Sequence, residues 1–167
     1  TRYKLHKQIY THPCVRAIEY MILDILNLSH EQLDIIPKVL DITKFWYLTD
    51  NILDLIRFQS IDEANNILNR IKTRKLYKLI FESKDISEID NIKKILIDHN
   101  LDNDIVVDTI KLNYSMSDKN PLDYIFLYNN NIIVDTKTLS GLLPQQFEET
   151  IFRIYVKSLC KFNKIKE

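Results

Sequence analysis

The sequence predicts an α+β fold, with helices in the N-terminal two-thirds and a small antiparallel sheet with short helices in the C-terminal third. Three observations carry this. Apolar residues recur at three- and four-residue steps up to about Lys72, the period of a helix with one buried face. After Arg74 that period gives way to short runs rich in β-branched and aromatic residues. Two such runs, Tyr124 to Tyr128 and Ile132 to Val134, flank Asn129-Asn130-Asn131, and asparagine tolerates the positive φ that a hairpin turn needs.

The first helix carries Leu5, Ile9, Val15, Ile18, Ile22, Ile25 and Leu26. Pro13 interrupts it, because proline has no amide hydrogen and clashes with the preceding turn, so a kink or restart is expected there. His12, just before the proline, is pushed toward extended geometry. A polar link from Ser29 to Asp34 leads to a second helix expected over about Ile42 to Phe58. Ser60, three residues before Glu63, has the spacing of a capping box opening a third helix to about Lys72. Leu76 to Phe81 then reads as a strand, Ser87 to His99 as a helix, and Ile105 to Leu112 as a strand. A short helix is expected at Thr138 to Leu143, closed by Pro144. Glu148 to Leu159 fits a strand or a buried helix equally well. The single weak boundary lies near residues 73–78.

Composition narrows the function. The 167 residues are 46% apolar and 28% charged, which suits a globular domain and excludes disordered and low-complexity classes. Net charge is zero, arguing against bulk electrostatic adhesion to nucleic acid, which remains possible locally but is not predicted. Gly141 is the only glycine, which rules out glycine-rich dinucleotide and phosphate loops. Two cysteines, Cys14 and Cys160, cannot build a disulfide framework or a cysteine zinc site, and are expected as reduced thiols. No apolar run reaches the ~20 residues that span a bilayer, so no membrane partner is expected. Without a signal peptide at Thr1, the expected setting is intracellular, nucleus or cytoplasm. His6, His12, His30 and His99 lack the spacing that sets two metal ligands on one helical face, apart from Asp102 three after His99, so no metal site is expected.

Two groups stand out. Arg2, His6 and Tyr10 are four apart and share a helical face. A guanidinium fork, an imidazole and a phenol together suit a phosphate-bearing ligand with a ring or sugar, though a solvated face would look the same. Arg70, Lys72, Arg74, Lys75 and Lys78 form the densest basic cluster, either a wet surface or a binding site for nucleotide or nucleic acid.

The run from Thr1 to His12, continuing through Ile18 to Asp24, resembles a segment of the eukaryotic HD-domain deoxynucleoside triphosphate triphosphohydrolases, the type that carries a sterile alpha motif in animals. Four further stretches follow in the same order. They are Leu48-Thr49-Asp50-Asn51-Ile52; Ile67-Leu68 through Arg74-Lys75-Leu76-Tyr77-Lys78; Asn113 to Met116 with Lys119 to Asp123; and Leu142 to Phe147 with Arg153 to Lys157. Glu82 to Asp104 matches least.

The resemblance implies a C-terminal portion of such an enzyme. Residues 1–75 would be the helical end of the catalytic region and 76–167 an α+β regulatory lobe. In the family, a divalent metal held by His, a His-Asp pair and a distant Asp activates the water that splits a dNTP into deoxynucleoside and triphosphate. Those ligands precede the position matching Thr1, so this chain alone is expected to be inactive, with no catalytic or metal residue of its own. Arg2 would contact substrate phosphates, His6 would face the reacting end, and Tyr10 would pack on the sugar. Arg74, Leu76 and Lys78 match residues that hold an activating guanine nucleotide. His12 and Lys157 match contacts to a second activating dNTP at a subunit junction of a homo-oligomer. Pro13 stands where animal relatives place a lysine, and Thr11 where they place a glutamine. Two other readings are a nucleotide- or RNA-binding module without the metal centre, and an oligomerisation scaffold.

Overall fold

The computed structural model describes residues 2–98, 101–113, 116, 119–129, 132–134 and 147–158. The helix expected at Thr138 to Leu143, with Gly141 and Pro144, lies outside them, as do His99, Asn130-Asn131 and Cys160. The class is α+β, with helices mostly N-terminal and a small antiparallel sheet.

A short helix α1 (Arg2–Leu5) runs into a π turn at His6–Tyr10, closed by the Thr11 amide donating to the His6 carbonyl at 2.9 Å. The expected restart falls at Pro13, the first residue of α2 (Pro13–Ser29), where proline's missing amide costs nothing. The buried stripe of α2 is Ala17, Met21, Ile25 and Ser29, in strict steps of four. Ser29 is tolerated inside because its hydroxyl donates to the Ile25 carbonyl at 2.8 Å. Leu5, Ile9 and Val15 share the apolar period but are exposed.

The helix expected over Ile42 to Phe58 is two helices. Preceding them is α3 (Ile35–Leu40). The Asp41 carboxylate then accepts from the Thr43 amide at 2.9 Å and caps α4 (Ile42–Phe45). Thr49, Asp50 and Asn51 interrupt the run before α5 (Ile52–Phe58), as residues whose side chains compete for the backbone tend to do. The third helix, α6, spans Asp62–Lys72, one residue later than a capping box on Ser60 would place it. Ile61 takes the N-cap position with no side-chain cap, because its side chain is buried with Ile25, Ile56, Ala64 and Leu68. Asp62 and Glu63 in the first turn offset the uncapped positive end.

Next come β1 (Lys78–Ser83), α7 (Ile86–Asp98) and β2 (Ile105–Asn113). A two-stranded ribbon follows, β3 (Leu127–Asn129) with β4 (Ile132–Val134), antiparallel with Asn129 opposite Ile132. The ambiguous C-terminal segment is a strand, β5 (Glu148–Val156), central in a sheet ordered β1-β5-β2. Its run of buried residues, Arg153 to Val156, is what a strand covered on both faces looks like.

The chain divides into two compact units, each discontinuous in sequence. The first takes Thr1–His12, Phe81–Asp102 and Val107–Ile154. Its core includes Ile110, Leu112 and Ile151, with Tyr3 packed against them. The second takes Pro13–Ile80, Asn103–Val106 and Tyr155–Glu167. There α6 packs on α2 and α5 around the Ile25 and Ile56 cluster, and Ala17, Met21, Leu76, Tyr77 and Tyr155 form a second cluster. Fully burying each of Met21, Ile25 and Ile56 stabilises by about 1.5–3 kcal/mol.

Candidate functional site

In the first unit, the stripe named from sequence lies along α1 and the π turn. His6 opens the π turn and Tyr10 closes it, four residues on. Their rings lie edge to face, 5.2 Å between centroids and 60° apart in plane. His6 is half-buried, while Arg2 and Tyr10 are exposed. An imidazole and a phenol ring thus meet on one segment, with an exposed guanidinium one helical step before them.

The neighbouring positions fix that segment. The Tyr3 hydroxyl donates to Glu149, and Lys7 donates to both Glu149 carboxylate oxygens at 3.0 Å and to the Tyr3 hydroxyl at 3.0 Å. Lys84 reaches Glu149 at 2.7 Å. Burial alone would push the Glu149 carboxyl up. The hydrogen bonds from Lys84, Tyr3 and Lys7 outweigh it, and the carboxyl is held down at about 2. Lys7 is correspondingly raised, first by its bond to Tyr3 and then by Glu149. Further along β5, the Arg153 guanidinium is buried, donating to the Thr11 carbonyl and, through Nε, to Glu82 at 2.6 Å.

In the second unit, Arg74, Leu76 and Lys78 line one cavity of about 290 Å³ together with Tyr77 and Tyr155. Pro13 and Cys14 also line it. Leu76 is buried and supplies an apolar wall; Arg74 and Lys78 are exposed cations at its edge. Arg74 has φ 59°, the left-handed region, at the end of α6. Lys157 is bound to the Asp24 carboxylate at 2.7 Å, and the Tyr77 hydroxyl donates to the same oxygen at 2.7 Å. Arg70 stacks over the Tyr77 ring at 5.2 Å and donates to the Lys157 carbonyl at 2.6 Å. Burial first, then the Asp24 carboxylate, pushes the Tyr77 phenol well above its ordinary range.

Structure therefore groups Arg2, His6 and Tyr10 in one unit, and Arg74, Leu76 and Lys78 in the other. His12 falls in the first unit and Lys157 in the second. Sequence reasoning missed Tyr3, Lys7, Lys84, Glu149, Arg153, Asp24 and Tyr77. Tyr3 and Lys7 do show the four-residue helical step, and Glu149, Ile151 and Arg153 the two-residue strand step, but nothing local says that the two patterns meet. Among the described residues, no group of three or more His, Cys, Asp or Glu could hold a metal ion. No helix among the described residues is long and apolar enough to cross a membrane.

No family model matches the chain. It is similar over 99% of its length to the deoxynucleoside triphosphate triphosphohydrolase SAMHD1 homolog of Dictyostelium discoideum, 29% identical over 189 residues and covering 35% of that protein. Human deoxynucleoside triphosphate triphosphohydrolase SAMHD1 is 28% identical over 194 residues, covering 95% of this chain and 31% of the human protein. A protein of Acanthamoeba polyphaga mimivirus named for an HD domain, L394, is 27% identical over 194 residues, covering 99% of this chain and 42% of its own length. The chain resembles HD-domain dNTP triphosphohydrolases along nearly its whole length, and it spans about a third of the first two relatives. A crystal structure of a hypothetical protein from Aquifex aeolicus shares the fold, with TM-score 0.68 over 93% of this chain and 39% of that one, at 19% identity.

Proposed function

We propose that this chain is the substrate-flanking and regulatory portion of a metal-dependent dNTP triphosphohydrolase. Its residues 1–75 finish the catalytic region and 76–167 form the regulatory lobe. Carrying this reading is the His6–Tyr10 ring contact beside Arg2, which offers a fork for phosphate and an aromatic edge for a sugar on one segment. Arg2 steadies phosphate charge, His6 faces the reacting end, and Tyr10 packs against the sugar, where a 2′-hydroxyl would collide. A divalent metal, held by residues not in this sequence, would lower the pKa of the attacking water. The Arg74, Leu76 and Lys78 cavity takes a guanine nucleotide, with the two cations on its phosphates and the apolar wall against the base. His12 and Lys157 contact a second activating dNTP in a homo-oligomer, at a site to which Pro13 adds no charge. The setting is intracellular, where dNTPs are.

The test uses the full-length protein with each dNTP, a divalent cation and GTP. Triphosphate release is expected, lost in Arg2→Ala, and insensitive to GTP in Lys78→Ala. The 167-residue chain alone is expected to release none. A full-length protein that binds dNTP yet never releases triphosphate would favour a binding module, the reading to which the exposed cluster of Lys72, Arg74, Lys75 and Lys78 lends weight.

A further inference from the structure

We infer that Glu149 and Arg153 are positioning residues, which set the geometry of the Arg2, His6 and Tyr10 stripe from one face of β5; the inference rests on the nucleotide-binding reading above. Side chains alternate across a strand, so Glu149, Ile151 and Arg153 point to the same side. All three serve the N-terminal segment. Glu149 takes Tyr3 and Lys7, Ile151 lies in the cluster against which Tyr3 packs, and Arg153 takes the Thr11 carbonyl. The lengths match. Four strand residues span roughly 13 Å, and the eight helical steps from Tyr3 to Thr11 rise roughly 12 Å. The segment is therefore tied to the strand at Tyr3, at Lys7 inside the π turn and at Thr11 just past it.

The ties sit where they can act on the stripe. Thr11 directly follows Tyr10, and its amide closes the π turn onto His6. Arg153 pulls on that same residue from the carbonyl side. Tyr3 and Lys7 are the next residues after Arg2 and His6, so their attachment to Glu149 fixes the rotation of the segment about its own axis. Arg153 is only 4% exposed, and a guanidinium buried to hold one carbonyl and Glu82 is more than packing demands. Glu149 likewise gathers two cations and a phenol onto one carboxylate.

The experiment measures binding of a non-hydrolysable dGTP analogue to the full-length protein, with hydrogen exchange of the amides from Ile9 to His12 as a second readout. Glu149→Gln is expected to weaken the analogue about tenfold, a typical size for a small misplacement of binding groups. That loss should shrink in an Arg2→Ala background, because Glu149 acts in part through Arg2. Arg153→Lys should retain part of what Arg153→Ala loses. If Arg153→Ala fails to fold, Glu149→Gln decides alone. Wild-type affinity in Glu149→Gln, or a loss that simply multiplies with that of Arg2→Ala, overturns the inference. If the wild type binds no analogue, the nucleotide reading falls and exchange decides: faster exchange in Glu149→Gln and Arg153→Lys keeps the positioning role, and unchanged exchange removes it.

Discussion

The Lys75 amide donates to the Arg70 carbonyl at 2.8 Å, wrapping the end of α6 around an arginine in the left-handed conformation. With the Arg74 amide on the Ile71 carbonyl at 3.1 Å, this is the paired-bond helix stop that normally carries glycine at its left-handed position. A side chain there costs roughly 1 kcal/mol, because Cβ crowds the following carbonyl. The strain falls on one of the two cations of the cavity proposed to take a guanine nucleotide.

Arg74→Gly should therefore stabilise the fold by about 1 kcal/mol, while Arg74→Ala keeps the strain and stays close to wild type. Both should weaken guanine nucleotide equally. Urea denaturation and calorimetry read the two effects separately. A glycine variant no more stable than the alanine variant would show that the left-handed residue carries no penalty.

Glu149 gives a second expectation, with a definite sign. Its carboxyl lies at about 2 in the folded protein against an ordinary 4.5, so it contributes stability that is present above pH 4.5 and lost as pH falls toward 2. Glu149→Gln should lower stability at neutral pH and flatten the curve in that acid window. Thermal melts at stepped pH values check it; a variant whose acid limb stays as steep as the wild type's would refute the assignment.

Ile9 and Ile25 carry the same apolar period, but Ile25 is fully buried and Ile9 is 55% exposed. Ile25→Ala should cost about 2–5 kcal/mol, the usual range for emptying a packed core site. Ile9→Ala should stay within about 0.5 kcal/mol. Chemical denaturation of the pair measures the contrast, and comparable losses would mean that Ile9 is covered in solution.

The same two isoleucines show how far the sequence could be read. Its periodicity located α2, α6, α7 and β2 because each buries one repeating face, and Pro13 marked the restart because its effect is purely local. Local chemistry failed where burial competed with it. Ser60 has capping-box spacing, yet Ile61 displaces it by going into the core. Ala17 and Ser29 complete a buried stripe that a search for large apolar residues passes over. The Arg2, His6 and Tyr10 spacing was legible, and so was the cluster that includes Arg74 and Lys78. What fastens them was not. Tyr3 and Glu149 are 146 positions apart, and only tertiary structure brings a carboxylate to a tyrosine at that separation.

The π turn at His6–Tyr10 also works as a phase adjuster. It holds one residue more than an α-helical turn would, and each α-helical residue advances the face by roughly 100°. Straightening that turn into regular α-helix with every residue kept would carry Thr11 about a quarter-turn onward relative to Tyr3, away from Arg153, with no charge removed. Deleting one residue inside it would instead let the helix run on regularly with Thr11 close to its present phase. The extra residue is thus what lets Tyr3 and Thr11 face β5 together.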